Sequence, residues 1–255
     1  MKTSEILKKY SAFRSNMGVP IDIRLLNKHW NLGKGIDKKD LYTGEINNPE
    51  IKRKIRIAED SIDLLKVFNF VEFIGISGSV ASGFADEGDD IDIFVVVKND
   101  RAWIYRAVVL FRNIFHKKIR TGEFFLKDKV CVNFILEQRS LSLDPDIFNL
   151  NEIISLIPIF NHQYIQTIFA NNEWLFDKYA VRRIEIDEEY NKKVLNRRYP
   201  LFIVLNFFFF VPQLVYMIIS GHNPDFRRIW GNYKKGRIEF FPKDFKEEKL
   251  KNLET

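Results

Sequence analysis

The residues best suited to chemistry are Gly78-Ser79 and, after ten intervening positions, Asp90-Ile91-Asp92. On a strand, successive side chains alternate faces, so Asp90 and Asp92 project from one face a few ångström apart. Two aligned carboxylates repel unless a cation sits between them. A divalent, oxygen-preferring cation resolves that conflict. Mg²⁺, or Mn²⁺ in its place, takes few protein carboxylates and completes its shell with phosphate oxygens. Upstream, Gly78 lets the backbone approach a ligand closely. Backbone N–H groups at the start of a helix, with the Ser79 hydroxyl, suit a phosphate. A phosphate cradle beside a carboxylate pair supplies the parts of a phosphoryl- or nucleotidyl-transfer site. Each half alone is ordinary: Gly-Ser is a common turn, and D-x-D often marks a strand entering solvent. Their joint occurrence between two apolar strands points to a site.

The flanking sequence must position these groups. Ile51, Ile55, Ala58, Ile62 and Leu65 recur at helical spacing behind Pro49, which predicts an amphipathic helix running to about Asn69. Val71–Ile76 reads as a strand, 77–83 as a small-residue turn opening a short helix, and Asp90–Val97 as a second, β-branched strand. Arg101–Phe115 reads as a helix, and Glu123–Leu126 with Val130–Leu136 as a hairpin. Beyond Pro145 the pattern is helical only, with a break at Pro158. The order predicts an α/β (α+β) fold: a small mixed-sheet domain over 49–142, an N-terminal extension over 1–48, and a helical C-terminal domain over 143–255 ending in a basic tail.

The pattern G-S-x10-D-x-D, with the further glycine Gly83, resembles the signature of the DNA polymerase beta-like nucleotidyltransferase superfamily. The similarity is strongest over 71–97 and looser from about 50 to 220. Val130–Leu136 and Asn149–Trp174 resemble small uncharacterised bacterial and archaeal nucleotidyltransferase-domain proteins. The resemblance implies two Mg²⁺ ions and attack by a hydroxyl on the α-phosphate of a nucleoside triphosphate, with pyrophosphate leaving. Gly78 and Ser79 would then hold the β- and γ-phosphates, and Asp90 and Asp92 would bridge the metals. The family's third carboxylate falls at Asn133, which offers a carbonyl oxygen but no negative charge. That departure implies a weaker second metal and slower chemistry. Glu137, four residues on, lies ~13 Å away by strand rise and is too far to substitute. Asp128 and Glu123 have no position fixed by the sequence. The acceptor is an RNA end, a protein side chain or a small molecule. A catalytically impaired nucleotide-binding module is the rival reading.

Composition bounds these readings. The chain has 255 residues, 46% hydrophobic and 29% charged, with 24 phenylalanines, as expected of a globular protein with a sizeable core. Its single cysteine, Cys131, excludes an intramolecular disulfide and a Cys-rich zinc site, and fits a reducing compartment. The first residues lack the apolar core of a secretory signal, which fits a cytoplasmic location. The net charge of +6 permits an anionic partner, and much of it lies in the last thirty residues. Arg101, Arg106, Arg112, Lys117, Lys118 and Arg120 follow the D-x-D strand and read as a solvated helix face, or as cations steering a triphosphate. Leu201–Ile219 holds 16 apolar residues in 19, the length of a bilayer core. Pro212 and a seam of Asn206, Gln213 and Ser220 favour a helix packed on protein, its phenylalanines mostly buried, over a membrane segment.

Overall fold

The computed structural model describes residues 3–30, 41–44, 48–120, 126–183, 197–219 and 225–239; the side chain of Asn133 lies outside that description. Helices α1 (Thr3–Asn16) and α2 (Ile23–His29) precede α3 (Pro49–Glu59) and α4 (Ile62–Leu65). Pro49 occupies the first turn of α3, and the Asn48 side chain accepts from the Glu50 N–H as its cap. The helix stops ten residues short of the predicted end. The Ser61 hydroxyl donates to the Ile57 carbonyl (2.8 Å), a local bond that competes with the helical ladder, and α4 is a separate turn.

Strands β3 (Val71–Ile76), β4 (Ile91–Val97) and β5 (Val130–Glu137) form the centre of a five-stranded mixed sheet. Strands β1 (Ile21–Asp22) and β2 (Thr43–Gly44) make a separate two-residue parallel pair. In the main sheet β3 and β4 are antiparallel, and β4 and β5 parallel. The outer positions belong to β6 (Ile157–Phe160), antiparallel to β3, and β7 (Arg237–Glu239), antiparallel to β5.

Those two strands correct the expectation that only helices follow Pro145. Pro158 lies within a strand at the sheet edge, where proline's missing donor is tolerated. The basic C-terminal segment is not wholly a solvated tail, because β7 closes the other edge. The expected hairpin partner at Glu123–Leu126 falls mainly on 121–125, outside the described residues. The partners found for β5 are β4 and β7, with an isolated parallel bridge from Ile119 to Val130.

Helices cover both faces of the sheet. One face carries Phe73, Phe94, Val96, Phe134 and Leu136. It packs against α1, α2, α7 (Ile147–Ser155), α8 (Ile165–Ala170) and α9 (Trp174–Asp177). The other carries Ile74, Ile76, Ile93, Val95, Val97 and Ile135, under α3, α4, α6 (Ala102–His116) and α10 (Pro200–Ile219). This two-sided burial explains why β4 reads IDIFVVV, almost continuously apolar rather than alternating. Its half-buried residue is Asp92.

Helix α10 bears out the seam and corrects the burial. Asn206 and Gln213 face the protein, and Phe210 and Leu214 are buried on the same side. Phe207 and Phe208 are exposed, against the expectation of mostly buried rings. A helix apolar all round can press only one stripe against its neighbour, so the opposite face is left bare. Ser220 lies outside the described residues.

Candidate active site

Because β3 and β4 are antiparallel, the C-terminal end of β3 meets the N-terminal end of β4, and Ile76 pairs with Ile93. The chain leaving β3 is tied down at once: Ser77 N–H donates to the Asp92 carbonyl (2.9 Å). Gly78 then turns with φ +61°, opening the single-turn helix α5 (Gly78–Ser82), which Gly83 ends at φ +91°. A Cβ built on Gly78 would lie 2.2 Å from Oδ2 of Asp92. The turn therefore rests directly on the carboxylate, and only glycine satisfies both the left-handed backbone and the close approach.

Behind this turn a buried polar network fixes α5. Asn151 on α7 accepts from the Tyr10 hydroxyl (2.9 Å) and from Arg14 (3.2 Å), and donates to the Ser82 hydroxyl (3.2 Å). Arg14 also donates to the carbonyls of Ser82 (2.7 Å) and Pro20 (2.8 Å). The region before Pro49, which carries no sequence motif, thus buttresses the site turn.

The loop bearing Asp90 is held from the other side. Lys54 of α3 is buried, with its ammonium on the Asp89 carbonyl (2.6 Å) and the Asp128 carboxylate (3.3 Å). Arg53 makes two bonds to Asp128, at 2.7 and 2.8 Å. The Arg53 bonds, with Lys54, hold the Asp128 carboxyl below its ordinary range. Asp128 is therefore an anchor of the 86–90 loop, not a member of the acidic pair. Glu137 sits at the far end of β5, paired in register with Val97, and bonds Arg139 (2.8 Å). As spacing requires, it is remote from the pair.

Ligand atoms of Asp90, Asp92 and Cys131 lie within 4.8 Å of one another. The structure thus brings together Gly78, Asp90 and Asp92, and places Ser79 in the turn over them. It adds three residues to them, of which sequence reasoning names only Arg120, within a group of possible triphosphate-steering cations. Cys131 stands opposite Asp92 in the β4–β5 register. The next registered pair is Phe94 with Phe134, so Asn133 falls in the irregular stretch between. Burial, then the negative charges of Asp92 and Asp90, push the Cys131 thiol well up, so it stays protonated. The second addition is Arg120, whose guanidinium bonds the Asp90 carboxylate at 2.6 Å. Burial works against its charge, but the Asp90 carboxylate outweighs it and raises its pKa. Three other arginines at or on α6 have structural posts: Arg106 on Gln213, Arg101, just before the helix, over the Phe202 ring, and Arg112 on the carbonyls of Asp63 and Leu64 in α4 and of Lys66 after it. The third addition is Glu152 on α7. Burial and then the Asp92 charge push its pKa up to about 7, against a bond from the Gly78 backbone. One sequence signal existed: Glu152 is the only charged residue in IFNLNEIIS.

The residues around the acidic pair suit a divalent cation only in part. Two carboxylates in reach of each other are hard oxygen donors suited to Mg²⁺. The third neighbour is a protonated thiol, a poor ligand for a hard cation. Arg120 supplies a positive charge at Asp90 from the protein itself.

The family model of the nucleotidyltransferase domain matches residues 55–193, just over half of the chain, and spans the Gly78 turn, the acidic pair, Arg120, Cys131 and Glu152. The chain belongs to the nucleotidyltransferase-domain family. No curated protein and no solved structure matches it.

Proposed function

We propose that the protein transfers a nucleoside monophosphate from a nucleoside triphosphate to an acceptor hydroxyl, with Mg²⁺ or Mn²⁺ held by Asp90 and Asp92. The observation that carries this reading is the contact of the Gly78 turn with the Asp92 carboxylate, which sets a backbone cradle against the acidic pair. The acceptor oxygen attacks the α-phosphorus, the bond to the β-phosphate oxygen breaks, and pyrophosphate leaves with the electron pair. In this reading the backbone of Gly78 and the Ser79 hydroxyl orient the β- and γ-phosphates. Asp90 and Asp92 would hold the cation, which when bound neutralises phosphate charge and favours deprotonation of the acceptor. Arg120 is placed to exchange its Asp90 contact for a phosphate oxygen, since a guanidinium binds either anion well. The acceptor class is an RNA end, a protein side chain or a small molecule.

A second reading rests on a specific observation. With a protonated Cys131 opposite Asp92, the site lacks a third carboxylate at that register, which favours a nucleotide-binding protein with feeble transfer. One experiment separates the two. The chain is incubated with Mg²⁺ and each α-labelled triphosphate, and label is followed into RNA, protein and small-molecule fractions. Label incorporation that Asp92→Ala abolishes supports the transferase. Triphosphate-dependent stabilisation without any incorporation supports the binding module. Neither incorporation nor stabilisation with any triphosphate refutes both.

A further inference from the structure

Among the described residues, nothing covers the outward face of helix α10. Its 20 residues contain no charged side chain, and only 22% of its most apolar stretch is buried. Leu201, Val204, Phe208, Tyr216 and Ile219 stand out into solvent, Ile219 at 79% exposure. The helix is ~30 Å long at ordinary rise. Its neighbour α6 continues this character at its C-terminal end, where Phe111, Ile114 and Phe115 are 62%, 64% and 75% exposed. Isolated exposed apolar residues need no account, but a concentration of this kind on two packed helices marks an interaction surface.

Three observations identify the occupant. First, the polar seam of α10 is spent inward. Asn206 Oδ1 accepts from the Trp103 N–H (2.9 Å). Gln213 donates to the Trp103 carbonyl (3.1 Å) and accepts from Arg106 (2.6 Å). Phe210 is held between Trp103 and Tyr233, at ring-centre distances of 4.9 and 4.5 Å. Crossing a bilayer would strip the helix from these partners or drag Arg106 into the hydrocarbon, where an unpaired polar group is costly. Second, the ends of the apolar strip are cationic. Lys117 and Lys118 follow α6, exposed Arg197 precedes α10, and Arg227 and Arg228 begin α11 (Phe226–Lys235). Third, exposed Tyr199 and Tyr216 sit near those ends, and tyrosine rings favour the headgroup level. A second copy of the chain would press like-charged rims together, which disfavours it. An anionic lipid surface meets both features, taking apolar side chains among its acyl chains and basic ones at its phosphates.

We propose that α10 and the C-terminal end of α6 lie in the plane of an anionic membrane surface and dock the protein there. The full chain is sedimented with vesicles of phosphatidylcholine alone and of phosphatidylcholine with phosphatidylserine, over a salt series. The expected result is binding to the phosphatidylserine vesicles that weakens with salt. Phe208→Asp with Ile219→Asp should weaken it by roughly a hundredfold, about tenfold for each large apolar group kept out of lipid. Arg227→Glu with Arg228→Glu should remove the preference for the anionic vesicles. Circular dichroism melts check that these substitutions leave the fold intact. Failure to sediment with either vesicle overturns the proposal. So does sedimentation indifferent to all four substitutions. A detergent-requiring chain that resists alkaline extraction overturns it in favour of a spanning helix. A stable dimer in light scattering, dissociated by Phe208→Asp and blind to vesicles, assigns the face to a second copy and overturns it too.

Discussion

Gly78→Ala is the sharpest perturbation of the site, because the structure fixes what the added methyl would meet. Its Cβ would stand 2.2 Å from Asp92 Oδ2 and 2.9 Å from Asp92 Cγ. Ordinary contact lies about 1 Å farther out, so either the Asp92 carboxylate rotates away or the turn lifts off β4. The turn is not free to lift, because Ser77 N–H is bonded to the Asp92 carbonyl and α5 is anchored through Ser82. Asp92 therefore moves by about 1 Å, a misplacement that costs on the order of a hundredfold in rate where a reacting group must be positioned. Alanine at φ +61° adds roughly 1–2 kcal/mol of backbone strain. For a chain of this size that lowers Tm by about 2–8 °C. Gly18 is the control, with φ +71° and nothing within 4 Å of a built Cβ. Gly18→Ala should show the strain without the site effect. The assay is triphosphate-dependent stabilisation with Mg²⁺, alongside label transfer. Gly78→Ala with the native ligand response would refute the contact between turn and carboxylate as a functional one. Equal losses in both variants would assign the effect to backbone strain alone.

Replacing Asp90 and Asp92 together by Ala should abolish the Mg²⁺-dependent part of the triphosphate-induced Tm shift and leave the fold intact; an unchanged shift refutes the metal assignment. Cys131→Asp should tighten Mn²⁺ binding by roughly tenfold, about 1.4 kcal/mol, measured by paramagnetic titration. Its register opposite Asp92 makes that gain larger than the gain from Asn133→Asp, and the reverse order would assign the third position to Asn133. Glu152 carries a pH signature in metal-free buffer. Its folded pKa, near 7, lies above the ordinary 4.5, so the stability tied to its neutral form is complete below about 4.5 and lost as pH rises through 7. Glu152→Gln stays neutral, so its stability relative to the native chain should climb across that window and level off above it. Parallel urea-melt curves would show that the carboxyl is not held neutral.

The core of the site was legible because its signals are local. A β-branched run, a glycine-serine turn and two aspartates at alternate positions of a strand each depend on residues a few places apart. Val71–Ile76 is found with the boundaries that its apolar pattern indicates, and β4 within one residue of them. The inward seam of Asn206 and Gln213 was legible for the same reason, since helical spacing alone puts them on one face. Asp128 and Glu137 show the limit. Asp128 has no position fixed by the sequence, and only its bonds to Arg53 and Lys54 assign it to structure; Glu137, set aside already by strand spacing, gains its partner Arg139 from the fold.

The sequence alone therefore determined the local placement of Gly78 and Ser79 on a turn and of Asp90 and Asp92 at a strand, and the order of the elements that carry them. Tertiary structure decided what stands around them. The parallel pairing of β4 with β5 joins segments some forty residues apart; its register sets Cys131 beside Asp92, and the irregularity that follows leaves Asn133 without a registered partner. The burial of Glu152 beneath Gly78, the reach of Arg120 to Asp90, and the strands β6 and β7 at the sheet edges arise the same way. The bare face of α10 does as well: the polar seam marks the inward side, but only the docking on α6 decides how narrow a stripe is covered. Such contacts depend on which surfaces the packed chain brings together, and no local spacing encodes that.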